Sequence, residues 1–229
     1  MEIIDTITLQ LEHDKIVRAI FQDTISGLCW SEKVRRTLSS VKRLLIPRAI
    51  FRWFEVDRVG SASVILRDPH GNERISLEIG PHAGILAGAH MVLGSVVTLG
   101  GELDERITLL NKSSDILEAY LADCIGVYGL LQVSRVVYSQ VEHFAAQKDW
   151  GISPVMSPGA IHGWNLEEQK AFCSILPIDQ IGVTMNDSGV LIPHKSVSFI
   201  IGIGPGYTAD KVVIPCHVCT NTGVCWCKY

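Results

Sequence analysis

Four cysteines crowd the end of this chain. Cys216, Cys219, Cys225 and Cys227 follow the spacing C-x2-C-x5-C-x-C and are four of the seven cysteines in 229 residues. A thiolate is both a nucleophile and a soft metal ligand, so this crowding points to a metal or iron-sulfur site or a redox dithiol rather than to packing. Two residues between Cys216 and Cys219 let both sulfurs face one ion while backbone amides bond to them. Cys225 and Cys227 flank Trp226 alone, so they reach one ion or cluster together only from an irregular loop, a departure from the paired C-x2-C zinc pattern. Cys29, Cys124 and Cys173 lie in apolar periodic segments, where a thiol behaves as a small hydrophobe, and are expected in the core.

The bulk of the sequence sets the surroundings of those thiols. With 47% hydrophobic and 19% charged residues and a mean hydropathy of +0.26, the chain can bury a large core as one large or two small domains. A net charge of -4 and a pI near 6.0 give no electrostatic reason to expect nucleic acid or an anionic membrane as partner. The opening MEIIDTITLQLEHDK carries acids where a signal peptide needs a basic region, so the expected location is cytoplasmic. In that reducing compartment clustered cysteines favour metal or redox work over structural disulfides. The longest stretch without Asp, Glu, Lys or Arg, residues 79–101, holds Pro81, His82, His90 and six glycines, and reads as buried strand and loop rather than as a membrane span.

Periodicity supplies the elements. Residues 6–12 alternate with Ile7, Leu9 and Leu11 on one side, as in a half-buried strand, and a short helix follows with Asp14 as cap and Ile16, Val17, Ile20 and Phe21 on one face. Ser31 opens a second helix with Val34, Leu38, Val41 and Leu45 at helical spacing, ended by Pro47. Residues 49–56, 61–66 and 74–79 read as strands, the last two joined as a hairpin through Asp68-Pro69-His70-Gly71-Asn72. A short helix from Pro81, a buried strand over 91–99 and a helix over 102–110 come next. The longest helix starts at a capping box of Asp115 and Glu118 and runs to about Gln147, its apolar positions drifting so that more than one side is buried. A loop with Pro154, Pro158, Gly159 and Gly163 leads to a second capping box, Asn165 and Glu168, opening a helix to about Ile175, and residues 181–185 and 197–203 are closing strands. The mixture favours an α+β or mixed α/β architecture. Gly80, Gly84 and Gly88 have helix-packing spacing, and Gly202, Gly204 and Gly206 lack the following helix that a phosphate site needs.

Residues 155–203 resemble the activation domain of cobalamin-dependent methionine synthase and its standalone relatives. The match is carried by Ser157-Pro158-Gly159, by Trp164-Asn165-Leu166-Glu167-Glu168-Gln169, by Ile181-Gly182-Val183-Thr184 with Asp187-Ser188, and by Ile192-Pro193-His194-Lys195-Ser196-Val197-Ser198. Earlier pieces fit too: Pro47-Arg48-Ala49, residues 96–100 followed by Leu103-Asp104, and Asp123-Cys124 within the long helix, so the resemblance spans about residues 31–203. It implies an α+β, helmet-like domain with a twisted antiparallel sheet flanked by helices, with an N-terminal strand and helix (1–30), a core (31–207) and a Cys-rich tail (208–229). It further implies docking over a corrinoid-binding protein whose cobalt(I) is occasionally oxidised to cobalt(II), and presentation of S-adenosylmethionine for reductive remethylation, where catalysis is mostly positioning. Standalone relatives carry a related cysteine tail, and this chain has one cysteine more.

The departures from the family shape the site. The family loop begins with an Arg, placed to pair with the carboxylate of S-adenosylmethionine, where this chain has Val155, and it closes on a Tyr where this chain has Ala160. An acidic position on the long helix falls on Leu130 in an ungapped count. Three such replacements remove charge-assisted bonds of about 1.5 to 3 kcal/mol each, so family-style binding of S-adenosylmethionine is not expected beyond backbone contacts from Ser157, Pro158, Gly159 and Ala160. Asp187 and Lys195 keep the family's acidic and basic positions, either as contacts for a partner or polar ligand or as a solvated ion pair. His162 is open to a role as cobalt-side ligand or proton donor, or is incidental. Three readings of the tail stay open: a four-thiolate site for an Fe-S cluster or zinc, a redox thiol pair or a thiolate supplied to cobalt, and a tail whose thiols stay reduced. A cluster would also act as an electron donor, which a corrinoid activator needs. Lys33, Arg35, Arg36, Lys42, Arg43, Arg48, Arg52 and Arg58 form either a docking face for an acidic corrinoid protein or a solvated basic face.

Overall fold

The computed structural model describes residues 1–21, 24–71 and 74–220. An antiparallel sheet in the order β4-β3-β2-β5-β9-β6 forms the frame, with β1 beside β2. The strands are β1 (Glu2–Ile4), β2 (Arg48–Val59), β3 (Ser63–Arg67), β4 (Arg74–Glu78), β5 (Met91–Thr98), β6 (Gly151–Ile152) and β9 (Ser196–Gly204). Strands β7 (Thr184–Met185) and β8 (Leu191–Ile192) make a separate hairpin. The long β2 is shared: Ala49 to Phe51 pair with β1, Glu55 to Val59 pair with β3, and the other edge pairs with β5.

Both faces of the sheet are covered, which is why the charge-free run over 91–99 has no polar side. Phe51, Leu93, Val97, Phe199 and Ile201 face the helices α1 (His13–Phe21), α2 (Thr24–Val41), α3 (Glu102–Lys112) and α4 (Ile116–Gln147). Their alternate neighbours Ile50, Phe54, Val92, Val96 and Ile200 face the second core around Trp164 and Phe172, the latter on α5 (Gln169–Cys173). Helix α4 is capped as its sequence predicts, with the Asp115 side chain accepting from the Glu118 amide at 3.4 Å. It is long and apolar enough to cross a membrane, but Ala122, Ile125, Val133, Val137 and Val141 are buried in the core beneath it. Leu121 and Cys124 are buried as well, so its first half is enclosed on more than one side.

Several local expectations give way to tertiary contacts. Residues 6–12 form an extended arm rather than a strand: Ile7, Leu9 and Leu11 still pack on the core, but the Gln132 side chain, not a neighbouring strand, bonds the Gln10 backbone. Helix α2 begins at Thr24 instead of Ser31, because the Ser31 carbonyl and hydroxyl meet the His13 ring (2.9 and 3.2 Å) instead of capping. Asn165 makes no capping bond, and the helix there shrinks to a 3-10 turn and α5. Gln169, at its start, is drawn inward to the Gly189 carbonyl and the Ser198 hydroxyl. Residues 178–181 are a 3-10 turn, so the strand expected over 181–185 is reduced to β7. Cys29 is exposed on α2, whereas Cys124 and Cys173 are buried. The three spaced glycines form no helix-packing stripe: Gly80 packs on Gly163, Gly88 packs on Gly206, and a side chain at Gly84 would meet nothing.

Candidate functional site

The loop bearing Ser157, Pro158, Gly159 and Ala160 leaves the sheet beside β9. Met156 and Ile200 exchange both backbone hydrogen bonds (3.0 and 2.8 Å), which fixes its entry. The Ser157 carbonyl accepts from the amides of Ala160 and Ile161, both at 3.2 Å, and the Gly159 amide donates to the Trp164 carbonyl at 2.8 Å. Gly159 has φ 76°, a left-handed conformation that glycine adopts without a Cβ penalty. Pro158 is buried, and Gly159 and Ala160 are exposed. The buried Trp164 indole N–H finds no acceptor among the described residues.

The chain after β9 returns across this loop as a strap, a connection invisible in the sequence. The Ala209 carbonyl accepts from Ile152 (2.8 Å) and that of Val213 from Val155 (2.9 Å). Further on, the Val218 carbonyl accepts from His162 (2.9 Å), Cys219 stands opposite Ile161 in an antiparallel bridge, and the Thr220 amide donates to the Ala160 carbonyl (2.9 Å). The Thr220 hydroxyl donates to the Gly159 carbonyl at 3.1 Å. The loop and the first half of the cysteine cluster, two sites from separate parts of the sequence, are therefore one structure. Cys216 is exposed on the strap and Cys219 half-buried, while Cys225 and Cys227 lie outside the described residues. Among the described residues no three His, Cys, Asp or Glu side chains are grouped to hold a metal.

Two of the positions expected to lack polar ligand contacts are packed within the chain. Val155 is only 8% exposed beneath the strap. Leu130 packs on the helical core. The carboxylate on α4 that meets the strap is Glu142, which accepts from the Val212 amide (3.1 Å) and from the Lys211 ammonium (2.8 Å) and raises the Lys211 pKa. A cavity of about 640 Å³ lies between Arg135, Tyr138 and Glu142 on α4 and Val212 to Cys216 on the strap. Glu142 escapes sequence reasoning because nothing marks which turn of a long helix the distant tail will reach.

Asp187 and Lys195 are each engaged elsewhere. Asp187 is exposed in the β7–β8 turn, its carbonyl accepting from Lys170. Lys195 is buried and pairs with Asp123 of α4 at 2.6 Å, its stem lying over Gly126, where an added Cβ would sit 3.0 Å from the lysine Cε. The pair lines a second cavity of about 620 Å³ with Asp104, Leu109 and Ile192. His162 is exposed, its ring edge-on to His82 at 6.4 Å. Burial lifts the Cys124 thiol to about 11 and the Cys173 thiol to about 12, so both are inert packing groups. Four of the eight residues of the basic run are paired within the chain: Lys33 faces Asp115 and Glu118, Arg35 and Arg36 share Glu32, and Arg52 faces Asp68.

An antiparallel sheet curled into a half-barrel, with helices packed against it, defines the class of the fold. It is the fold of the reactivation domain of cobalamin-dependent methionine synthase. The crystal structure of the MetH reactivation domain bound to AdoHcy superimposes with a TM-score of 0.62 at 16% identity, over 83% of this chain and 71% of that one. By sequence the chain matches no known family profile and no curated protein. The neighbour accounts for the architecture predicted from residues 31–203, including the antiparallel sheet and the long helix.

Proposed function

We propose that this protein is an accessory for reductive reactivation of a corrinoid-binding protein, with its C-terminal cysteines supplying the chemistry. The fold, shared with a domain that serves cobalamin-dependent methionine synthase, supports a corrinoid partner. The observation that carries the reading is the strap, which sets Cys219 opposite Ile161 and bonds Thr220 to Ala160, at the end of the loop that in the resembled family meets S-adenosylmethionine, with Cys216 three residues earlier on the same strap. Soft thiolate donors suit zinc or an Fe-S cluster. Cys216 and Cys219 would supply two ligands and Cys225 and Cys227 the other two, and a cluster there would serve as electron donor to an oxidised cobalt. Val155, buried and uncharged, and Ala160 offer no carboxylate or amino contact, which favours docking and electron supply over family-style methyl donation.

The second reading, an S-adenosylmethionine-dependent corrinoid methylation component, draws on the retained turn at Gly159. In this conformation, however, the loop's exposed carbonyls are already taken by Thr220. Metal analysis and the visible spectrum of protein purified without oxygen, together with capture of corrinoid proteins, test the first reading. Iron or zinc near one equivalent and a retained corrinoid protein are expected. Protein with neither metal and no corrinoid partner overturns it. Calorimetry with millimolar S-adenosylmethionine decides the second, which fails if no heat of binding is seen.

A further inference from the structure

The outer side of the α3–α4 hairpin is apolar and acidic at once, and nothing in the proposed reactivation role uses it. Leu109, Ile116, Leu117 and Tyr120 are exposed within twelve residues, the first, second and fourth by more than half. Only residues 113–115 separate the two helices, which pack side by side. Ile116, Tyr120 and Asp123 follow one another at helical spacing on one face of α4. Asp123 in turn lines the cavity of about 620 Å³ that Leu109 of α3 and the exposed Ile192 of β8 also line. The apolar face of α4 thus leads, over about 10 Å, to a cavity with an apolar side chain on either wall. Charge is concentrated on the same hairpin. Residues 102–123 hold six carboxylates and two cations, a net of -4 that equals the net charge of the whole chain. Lys33 and Arg106 take up Asp115 and Glu118, and Lys195 takes up Asp123. Glu102, Asp104 and Glu105, in the first turn of α3, have no lysine or arginine partner among the described residues, and Asp104 accepts only from the His194 amide and ring. Lys112 lies at the opposite end of α3.

We propose that this hairpin docks a basic amphipathic helix of a partner protein. The helix lays its apolar side on Leu109, Ile116, Tyr120 and Ile192 and sets its lysines or arginines against the acidic first turn of α3. Clustered exposed apolar side chains mark interaction surfaces, and an amphipathic helix of two to three turns matches a face of this length. The charge selects the occupant. A second copy of this chain would meet the patch with the same patch across a two-fold axis, bringing the uncompensated carboxylates of Glu102, Asp104 and Glu105 against their own kind. An anionic membrane is repelled for the same reason. A cationic helix instead gains complementary charge at the rim, which orients it and speeds its encounter, while the apolar contacts supply the affinity.

NMR titration of the full chain with a synthetic helical peptide of leucine and lysine, its leucines on one face, tests this. Saturable shifts of the amides over 104–123 and 191–195 are expected. A peptide with glutamate in place of lysine, and one of the same composition with its leucines scattered, should each bind at least about tenfold more weakly. Leu109→Ser and Tyr120→Ser should each weaken binding at least about fivefold, and Glu102→Gln with Glu105→Gln about two- to fivefold. Ile3→Ser, at the exposed apolar side chain of β1, should leave it unchanged. All of these side chains are exposed, so the variants keep the fold, and unchanged melting temperatures check this. No shifts at millimolar peptide, or shifts centred elsewhere, overturn the proposal. So do a Leu109→Ser variant that binds like the native chain, an Ile3→Ser variant that loses as much, or a glutamate peptide that binds as tightly. Three results would name another occupant and equally overturn it: a dimer of the free chain that Leu109→Ser dissociates, anionic vesicles that the native chain binds and Leu109→Ser does not, or amides of residues 221–229 that shift in Leu109→Ser without peptide.

Discussion

If the strap delivers the thiols to the loop, its two halves should differ in stability, and the difference can be worked from its contacts. The proximal half is held by the Ile152–Ala209 and Val155–Val213 bonds, by Glu142, and by Val212 and Ile214 packed on the helical core. Among the described residues the distal half has two backbone bonds to the loop, at His162 and Thr220, the Thr220 hydroxyl, and Val218 packed on the second core. At about 1 kcal/mol net per bond, less the cost of ordering exposed residues, distal opening should cost ~1–2 kcal/mol. Proximal opening, with a second apolar side chain and the Glu142 contacts added, should cost ~3–4 kcal/mol. In amide hydrogen exchange followed by NMR, the His162 amide should therefore be protected roughly 5- to 30-fold and the Val155 amide at least about tenfold more. Thr220→Val should lower His162 protection a further ~3-fold and leave Val155 unchanged, and a chain ending at Pro215 should abolish protection at His162 alone. Equal protection at the two amides, or His162 protection that survives the truncation, would refute this division. The gradient matters for function because Cys216 and Cys219 ride the weaker half, so they can be presented to a partner without opening the core.

Four other outcomes follow from the packing. Gly94→Ala would place a methyl 2.8 Å from the Phe172 ring and should cost ~1–3 kcal/mol in urea unfolding. That cost should shrink in a Phe172→Leu background, and an unchanged cost there contradicts the contact. At pH 8 iodoacetamide should label Cys29 and Cys216, both exposed, and spare Cys124 and Cys173 until the chain is unfolded. The raised thiols also make the native state bind more protons than the unfolded chain above about 9, so the melting temperature should fall as pH rises from about 9 toward about 12, and a flat profile would refute the shift. Lys195→Met should lower stability by only ~1–2 kcal/mol, because the Asp123 it strands is 47% exposed and water takes over much of the lost pairing. A loss above ~4 kcal/mol in urea unfolding would show a stronger coupling than this geometry permits.

What could be read in the sequence is what local pattern determines. The hairpin at residues 63–78, the strand over 91–98 and the α4 cap at Asp115 follow from alternation, turn residues and capping chemistry that act within a few positions. The errors fall where a distant group outbids the local one. Ser31 and Asn165 carry cap-forming side chains, but the His13 ring takes up Ser31 and the buried Gln169 network holds the helix start near Asn165 to one short turn. Residues 6–12 have strand periodicity because one side is buried, and burial alone does not say whether the other edge finds a strand or a glutamine.

The site illustrates the same limit with a functional consequence. Ser157 to Ala160 and the cysteine cluster each carried a sequence signal, yet their relation depends on a return path of about fifteen residues after β9 that has almost no pattern of its own. Val155 lies on the underside of the strap, where its amide serves Val213 and a charged side chain would have to be buried. Glu142 on α4 answers the same need from the other side, spending its carboxylate on the strap's Val212 and Lys211 instead of leaving it open to a ligand. The chain has covered the inner part of the loop with its own C-terminal segment, and the reactive groups that segment carries are thiols.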